Sequence, residues 1–317
     1  MASKKLTEIN DRLYQDPSRV LWRLQDSERF PRTRLRWHES LATVPVEGPP
    51  IFIVGQEVID AFPAHQFVMT ESGWREKLVD VDDSPETPTH FRWVLAPTGT
   101  PATAALVLGG AKELKDMKQT HDQKDVLTVE VSPGALALVD DVAQRVAKAG
   151  GAGLFVDYGK MGCLGDTLRA FKRHAQVSPL SQPGLCDLTV DADFQACGRQ
   201  AALVDDVRVF GAVNQGEWLG RMGITQRLDT LLDNDKLSDV DVDVLITACE
   251  RLCSANHMGE RYKVLSINHD RWAPQQNQSP TVPQEGLHNR DTHFPPAGFN
   301  PEDWIPPPTD PADVIAP

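Results

Sequence analysis

Four apolar residues, Ile51-Phe52-Ile53-Val54, run without interruption into Gly55-Gln56-Glu57-Val58-Ile59-Asp60-Ala61-Phe62-Pro63. Such a run with turn residues behind it predicts a parallel strand covered on both faces. Gly153-Leu154-Phe155-Val156-Asp157-Tyr158-Gly159 has the same form, again with an acid at its end. Between them, Ser132-Pro133 offers a capping hydroxyl and a proline suited to the first helical position. Leu136, Val139, Val142, Ala143 and Val146 then form an apolar stripe, and Gly150-Gly151 ends the helix. Strand, helix and parallel strand make a βαβ unit, which confines the chain to an open α/β sheet. In such sheets ligands sit just beyond the carboxyl ends of the strands. The acids Glu57 and Asp60 are therefore the place to look for chemistry. Three residues apart, they point the same way if the turn is helical, although acids at a helix start also serve the helix dipole.

The intervening stretch, about residues 65–131, has strand character. Gln66-Phe67-Val68-Met69 and Trp74 to Val81 flank a hairpin loop at Thr70-Glu71-Ser72-Gly73, followed by strands at Phe91–Leu95 and Val126–Val131. Gln215 to Leu232 and Val240 to Cys253 read as amphipathic helices, and Tyr262 to Ile267 as a closing strand. Residues 3–29 carry loose helical periodicity, and Leu35-Arg36-Trp37-His38 is a short strand. Beyond residue 267, Gln, Asn and Pro dominate, so 268–317 is expected to be a disordered, Pro-rich tail with Phe299 and Trp304 solvated in it.

Composition closes off several functions. The formal charge of −13 argues against general nucleic-acid binding, which needs an excess of Lys and Arg. The charge is uneven, since residues 1–40 hold nine Lys/Arg and six Asp/Glu, and the remainder 23 and 39. Five cysteines without a CxxC pair do not form a disulfide framework or a zinc site. No apolar run reaches the roughly 18 residues of a membrane span, and neither an apolar leader nor a mitochondrial transit peptide follows Met1. His38, His65, His174 and His257 are not at metal-ligand spacing. There is no P-loop, HExxH or GxSxG element, and residues 1–50 contain nothing to cradle a nucleotide. Gly159-x-x-Gly162-x-x-Gly165 is spaced wrongly for a dinucleotide loop and reads as a flexible loop over a site mouth. Of the histidines, His65 follows the Glu57–Asp60 turn closely enough to share its cleft.

The segment Gln56-Glu57-Val58-Ile59-Asp60-Ala61-Phe62-Pro63-Ala64-His65-Gln66-Phe67 resembles the Asn-Glu-Phe-Phe-Asp-Ala-Leu-Pro-Val-His-Gln-Phe signature of the MidA-type methyltransferases. These are class I S-adenosylmethionine enzymes and include a mitochondrial arginine methyltransferase acting in respiratory complex I assembly. The resemblance continues through Gly73-Trp74-Arg75-Glu76, Val129-Glu130-Val131-Ser132-Pro133 and Val156-Asp157-Tyr158-Gly159. Further matches lie at Gly165 to Phe171, Asp187 to Phe194, Gln215 to Leu219 and Met258 to Leu265. It covers residues 3–267, read as one methyltransferase domain with a β-rich insertion and a C-terminal helical portion. It implies a Rossmann-like class I sheet entered midway, N-terminally truncated, with the first strand and main cofactor loop absent from this chain. Such a sheet is expected to keep an unpaired edge and an uncovered apolar face.

What the resemblance implies about function is methyl transfer from S-adenosylmethionine to an arginine guanidino nitrogen of a protein, by extension a complex I subunit in the mitochondrial matrix. Arginine keeps its proton to a pKa above about 12, so its guanidinium must be aligned and biased by carboxylates before it can attack. Glu57 is the first candidate for that role, Asp60 the second, and His65 a neighbour. Ser40 and Leu41 match the place where such folds contact adenine. Gln56, standing where the family has Asn, lies on the cofactor side. Asp157 and Tyr158 line the substrate side. The alternative is a non-catalytic assembly or interaction protein that keeps the substrate surface without cofactor chemistry.

Overall fold

The computed structural model describes residues 36–84, 87, 89–108, 127–162, 164–233, 237–272 and 295–308. The helix expected at 3–29 lies outside them. The chain divides into two compact units, Met1–Pro45 and Val46–Pro317. In the first, residues 36–38 are irregular rather than a strand, and Leu41–Thr43 forms one 3-10 turn behind Ser40. Thr43 ties the turn by donating its hydroxyl to the Ser40 carbonyl at 2.9 Å.

The second unit is built on a mixed sheet. β1 (Ile51–Gln56) lies parallel to β6 (Gly151–Lys160), joined through α1 (Pro133–Ala149), as the βαβ pattern predicts. β12 (Tyr262–His269) runs antiparallel between β6 and β11 (Val207–Asn214), giving the order β1-β6-β12-β11, with β13 (Trp304–Ile305) on the far edge. The expected α/β class is the observed one. The stripe of α1 is fully buried at Val139, Val142, Ala143 and Val146, each valine contributing about 1.5–3 kcal/mol by leaving water. Ser132 does not cap the helix, however. Its hydroxyl donates to the Pro63 carbonyl at 3.0 Å and fastens the helix start to the segment leaving the β1 turn. Gly151 is required where α1 meets β6: its φ is +106°, and a Cβ there would lie 1.8 Å from the Ile51 carbonyl oxygen.

One expectation about β1 fails. It is not covered on both faces: Phe52 and Val54 are 68% and 69% exposed, and the strand alternates. Among the described residues β1 is the sheet edge.

The insertion forms its own antiparallel sheet. β2 (His65–Thr70), β3 (Gly73–Val81), β4 (Phe91–Leu95) and β5 (Thr128–Val131) pair in the order β4-β3-β2-β5, and β2 and β3 make the predicted hairpin. A small third sheet holds β7 (Arg169–Lys172), β8 (Ala175–Val177) and β9 (Asp187–Thr189). β10 (Ala192–Asp193) pairs β6 and leads into α2 (Phe194–Ala201). Asp193 caps α2 by accepting from the backbone N–H groups of Gln195 and Ala196, both at 3.0 Å.

The helix expected at 215–232 is two. α3 (Gln215–Arg221) and α4 (Ile224–Leu232) are separated by Gly223 in the left-handed region, and α5 (Asp239–Cys253) follows. The disordered tail is also corrected in part. Within residues 295–308, β13 pairs with β11, and Phe299 is 6% exposed in a core with Phe210, Val213 and Val264. Arg221 holds the segment further, donating to Asp303 at 2.7 Å and to the Gly298 carbonyl at 3.3 Å.

Candidate functional site

The site forms where β1 ends. Glu57 takes a left-handed φ of 49° while its N–H still bonds the Val156 carbonyl at 3.0 Å, so the chain turns sharply off the sheet. The next three N–H groups then converge on one carboxylate oxygen. Asp157 Oδ2 accepts from Val58 at 3.0 Å, Ile59 at 2.9 Å and Asp60 at 3.3 Å. Its other oxygen accepts from the Tyr158 N–H at 2.9 Å. At 1% exposure, Asp157 organises the turn from below and does not face solvent.

Residues 57–62 therefore form a non-helical turn, not the helical one expected, and Glu57 and Asp60 reach different tyrosines. Glu57 is exposed and accepts from the Tyr262 hydroxyl at 2.9 Å. Asp60 is 5% exposed; its Oδ2 accepts from the Tyr158 hydroxyl, while Oδ1 is buried with no partner. The two tyrosine rings meet edge to face, 5.6 Å between centroids. The carboxyl ends of β1 and β6 and the start of β12 thus assemble two carboxylates and two phenols into one cluster. Over the Tyr158 ring lie two guanidiniums, Arg169 at 5.1 Å and Arg261 at 5.9 Å, and both reach Asp191.

The electrostatics follow from this crowding. Burial raises the Asp60 carboxyl above its ordinary range, and nearby Glu57 and Asp187 add to the shift. Burial also pushes Asp157 up to about 7, with the charge of Asp60 as the second cause, against the opposing pull of its N–H donors. Burial and the bond to Asp60 raise Tyr158, and burial and the bond to Glu57 raise Tyr262, so both phenols stay protonated and act as donors. The exposed Glu57 carboxylate beside the two tyrosine rings is the surface this cluster offers a cation.

The other sequence candidates are placed separately. Gln56 ends β1 and is exposed. His65 opens β2 and bonds Glu76 through Nδ1 at 2.7 Å; Glu76 in turn accepts from the Thr100 hydroxyl. The histidine is thus oriented by the insertion sheet rather than by Glu57 or Asp60. Ser40 and Leu41 belong to the first unit. The loop at Gly162 and Gly165 is bonded in place: Gly162 donates to Asp193 at 3.1 Å and Gly165 to the Thr128 carbonyl at 2.9 Å. Glu130 anchors it, accepting from the Thr167 and Leu168 N–H groups at 2.9 and 3.1 Å. Sequence reasoning missed Tyr262, Arg169, Arg261 and Asp191 as members of the cluster. Their one signal was that each falls within a stretch resembling the family.

A mixed sheet with a cluster of carboxylates and phenols beyond the carboxyl ends of its parallel strands defines an α/β protein, with the Glu57 turn at the position where such sheets hold ligands. The model of a family described as putative S-adenosyl-L-methionine-dependent methyltransferases matches residues 2–213. The chain belongs to that family. It is 38% identical over 232 residues to the zebrafish (Danio rerio) protein named protein arginine methyltransferase NDUFAF7, mitochondrial, covering 73% of this chain and 50% of that one. The human (Homo sapiens) protein of the same name is 35% identical over 233 residues, covering 74% of this chain and 48% of that one. A Burkholderia thailandensis protein crystallised with S-adenosyl-homocysteine superposes with a TM-score of 0.60 at 25% identity, over 80% of this chain and 60% of that one. This chain spans about half the length of the named relatives. Among the described residues, no helix is long and apolar enough to cross a membrane.

Proposed function

We propose that this chain carries the substrate side of a protein arginine methyltransferase, with S-adenosylmethionine as methyl donor. The observation that carries the reading is the exposed Glu57 carboxylate, held by the Tyr262 hydroxyl at 2.9 Å beside the Tyr158–Asp60 pair. A guanidinium is planar and cationic, and a carboxylate fixed against aromatic faces is suited to grip it. Glu57 aligns the guanidinium and draws positive charge toward one side, leaving the attacking nitrogen more nucleophilic. Asp60, buried behind Glu57 with its Oδ1 unpartnered, is the second carboxylate and the acceptor for the released proton. Tyr158 and Tyr262, protonated throughout, position the two carboxylates.

The donor set also suits the cofactor, because a sulfonium is a cation and the cluster presents carboxylate and π-surface to it. S-adenosylmethionine, when bound, supplies a methyl group whose S–C bond breaks as the N–C bond forms. Gln56 is proposed on the cofactor side, and Ser40 and Leu41 as adenine contacts on the strength of the resemblance. The names of the relatives support a protein substrate in mitochondria; a complex I subunit in the matrix is the specific form of that proposal. Residues 1–267 are proposed as one methyltransferase region.

The test is transfer of labelled methyl from S-adenosylmethionine to an arginine peptide. Glu57→Gln keeps shape but removes charge, and is expected to lower kcat about 100-fold or more. Undiminished transfer by the variant would overturn the role of Glu57. Calorimetry with S-adenosylmethionine tests the cofactor separately: micromolar binding by the 317-residue chain supports cofactor chemistry on it, and no binding by a folded sample supports the non-catalytic alternative.

A further inference from the structure

The cluster has a second, oppositely charged end. Arg169 pairs Asp191 at 2.5 Å, and Arg261 reaches the same carboxylate oxygen only at 3.9 Å. Two guanidiniums facing one carboxylate leave an excess positive charge at that point. Arg169 is largely buried and its Nε is buried without a partner. Arg261, in contrast, keeps 53% of its side chain exposed. Both guanidiniums stand against the ring of Tyr158, whose hydroxyl end is held by Asp60. The Tyr262 ring touches Tyr158 at its edge and carries Glu57 on its hydroxyl. One aromatic pair therefore has carboxylates at its hydroxyl ends and guanidiniums at the Tyr158 face.

We propose that Arg261, backed by Arg169, forms a subsite that binds a carboxylate of the substrate protein, an Asp or Glu one or two residues from the target arginine. The inference rests on the arginine reading above and adds to it a substrate class: an arginine with an acidic neighbour. An extended peptide advances about 3.3 Å per residue, so neighbouring side chains of opposite charge match a site whose opposite charges share one pair of rings. Arginine suits the task because its planar fork bonds a carboxylate at two points and never loses its charge. The carboxylates of Glu57 and Asp187, close enough to act on Asp60, work against an anion together with Asp60 and with exposed Glu260 next to Arg261 in the chain. The subsite is accordingly expected to sharpen selection rather than to supply most of the affinity.

The test uses fluorescein-labelled peptides of a single arginine flanked by Glu, Gln or Lys, titrated with the 317-residue chain and read by anisotropy. The expected result is about tenfold tighter binding of the Glu-flanked peptide than of the Lys-flanked one, equivalent to about 1.4 kcal/mol. Arg261→Glu should invert that order, Arg261→Ala abolish it, and Arg261→Lys retain it in weakened form. Because Arg261 is half-exposed, these variants are expected to keep the wild-type urea midpoint; Arg169→Lys provides a second perturbation that leaves Arg261 in place. Equal binding of the three peptides by the wild type, or an unchanged order in Arg261→Glu, would overturn the subsite while leaving arginine recognition standing. Loss of S-adenosyl-homocysteine affinity in Arg261→Glu with the peptide order unchanged would assign the arginines to the cofactor's carboxylate, and also overturn it. Failure of every arginine peptide to bind would remove the arginine reading and the subsite together.

Discussion

Asp157→Ala is expected to cost about 3–5 kcal/mol of folding stability, because it orphans several buried donors at once. The N–H groups of Val58, Ile59 and Asp60 all end on Asp157 Oδ2, and water has little access to a residue 1% exposed. The turn carrying Glu57 and Asp60 should loosen as well, so the variant is expected to lose arginine-peptide binding with its stability. Asp157→Asn keeps one acceptor oxygen and separates charge from shape. Its pH dependence has a definite sign. Burial raises the Asp157 carboxyl from 3.8 to about 7 on folding, so the folded state holds the proton more tightly than the unfolded chain. The stabilisation from that proton is complete below about pH 4 and is lost as pH rises through about 7. Wild type should therefore lose on the order of 2–4 kcal/mol relative to Asp157→Asn between these limits. Urea unfolding at pH 5 and pH 8 reads the difference; a gap between the two proteins that does not change with pH would refute the shifted carboxyl.

How much of this was legible in the sequence depended on whether the determining contacts were local. The α1 stripe, the β2–β3 hairpin and the two glycine-flanked strands were legible because periodicity and turn chemistry act within a few residues. The Glu57 turn is not the helical one its spacing predicts, because its N–H groups end on a distant carboxylate instead of on the preceding carbonyls that a helix would use. That acceptor, Asp157, lies 97 residues from Asp60 in the chain, and no spacing rule reaches so far. Tyr262 is more remote still, 205 residues from the glutamate it holds. The apolar run at 51–54 gave the strand but not its environment: Phe52 and Val54 are exposed although their composition reads as buried. A continuous apolar run reports what a strand can bury, while burial itself depends on what pairs beyond it.

Phe299→Ala is expected to lower stability by about 3–5 kcal/mol, the usual range for truncating a buried phenylalanine. A disordered tail would make the same substitution neutral. The two readings differ because the polar, proline-rich composition around Phe299 is a regional average, whereas docking requires only one or two anchored side chains. Phe299 supplies the first anchor, its ring 6.4 Å from that of Phe210 in a core shared with Val213 and Val264. The second is β13, paired with β11 through Val209–Ile305 and Phe210–Trp304. Removing residues 295–317 deletes both and exposes the outer edge of β11, so it should destabilise at least as much as the point variant and promote self-association through the bared strand. Thermal unfolding and light scattering of wild type, Phe299→Ala and the shortened chain test this together. A shortened chain with the wild-type melting temperature and no added scattering would show that the segment rests on the fold without supporting it. The expected outcome instead makes β13 a structural strand of the sheet that carries the Glu57 turn, so damage more than 200 residues away in sequence would reach the site through β11, β12 and Tyr262.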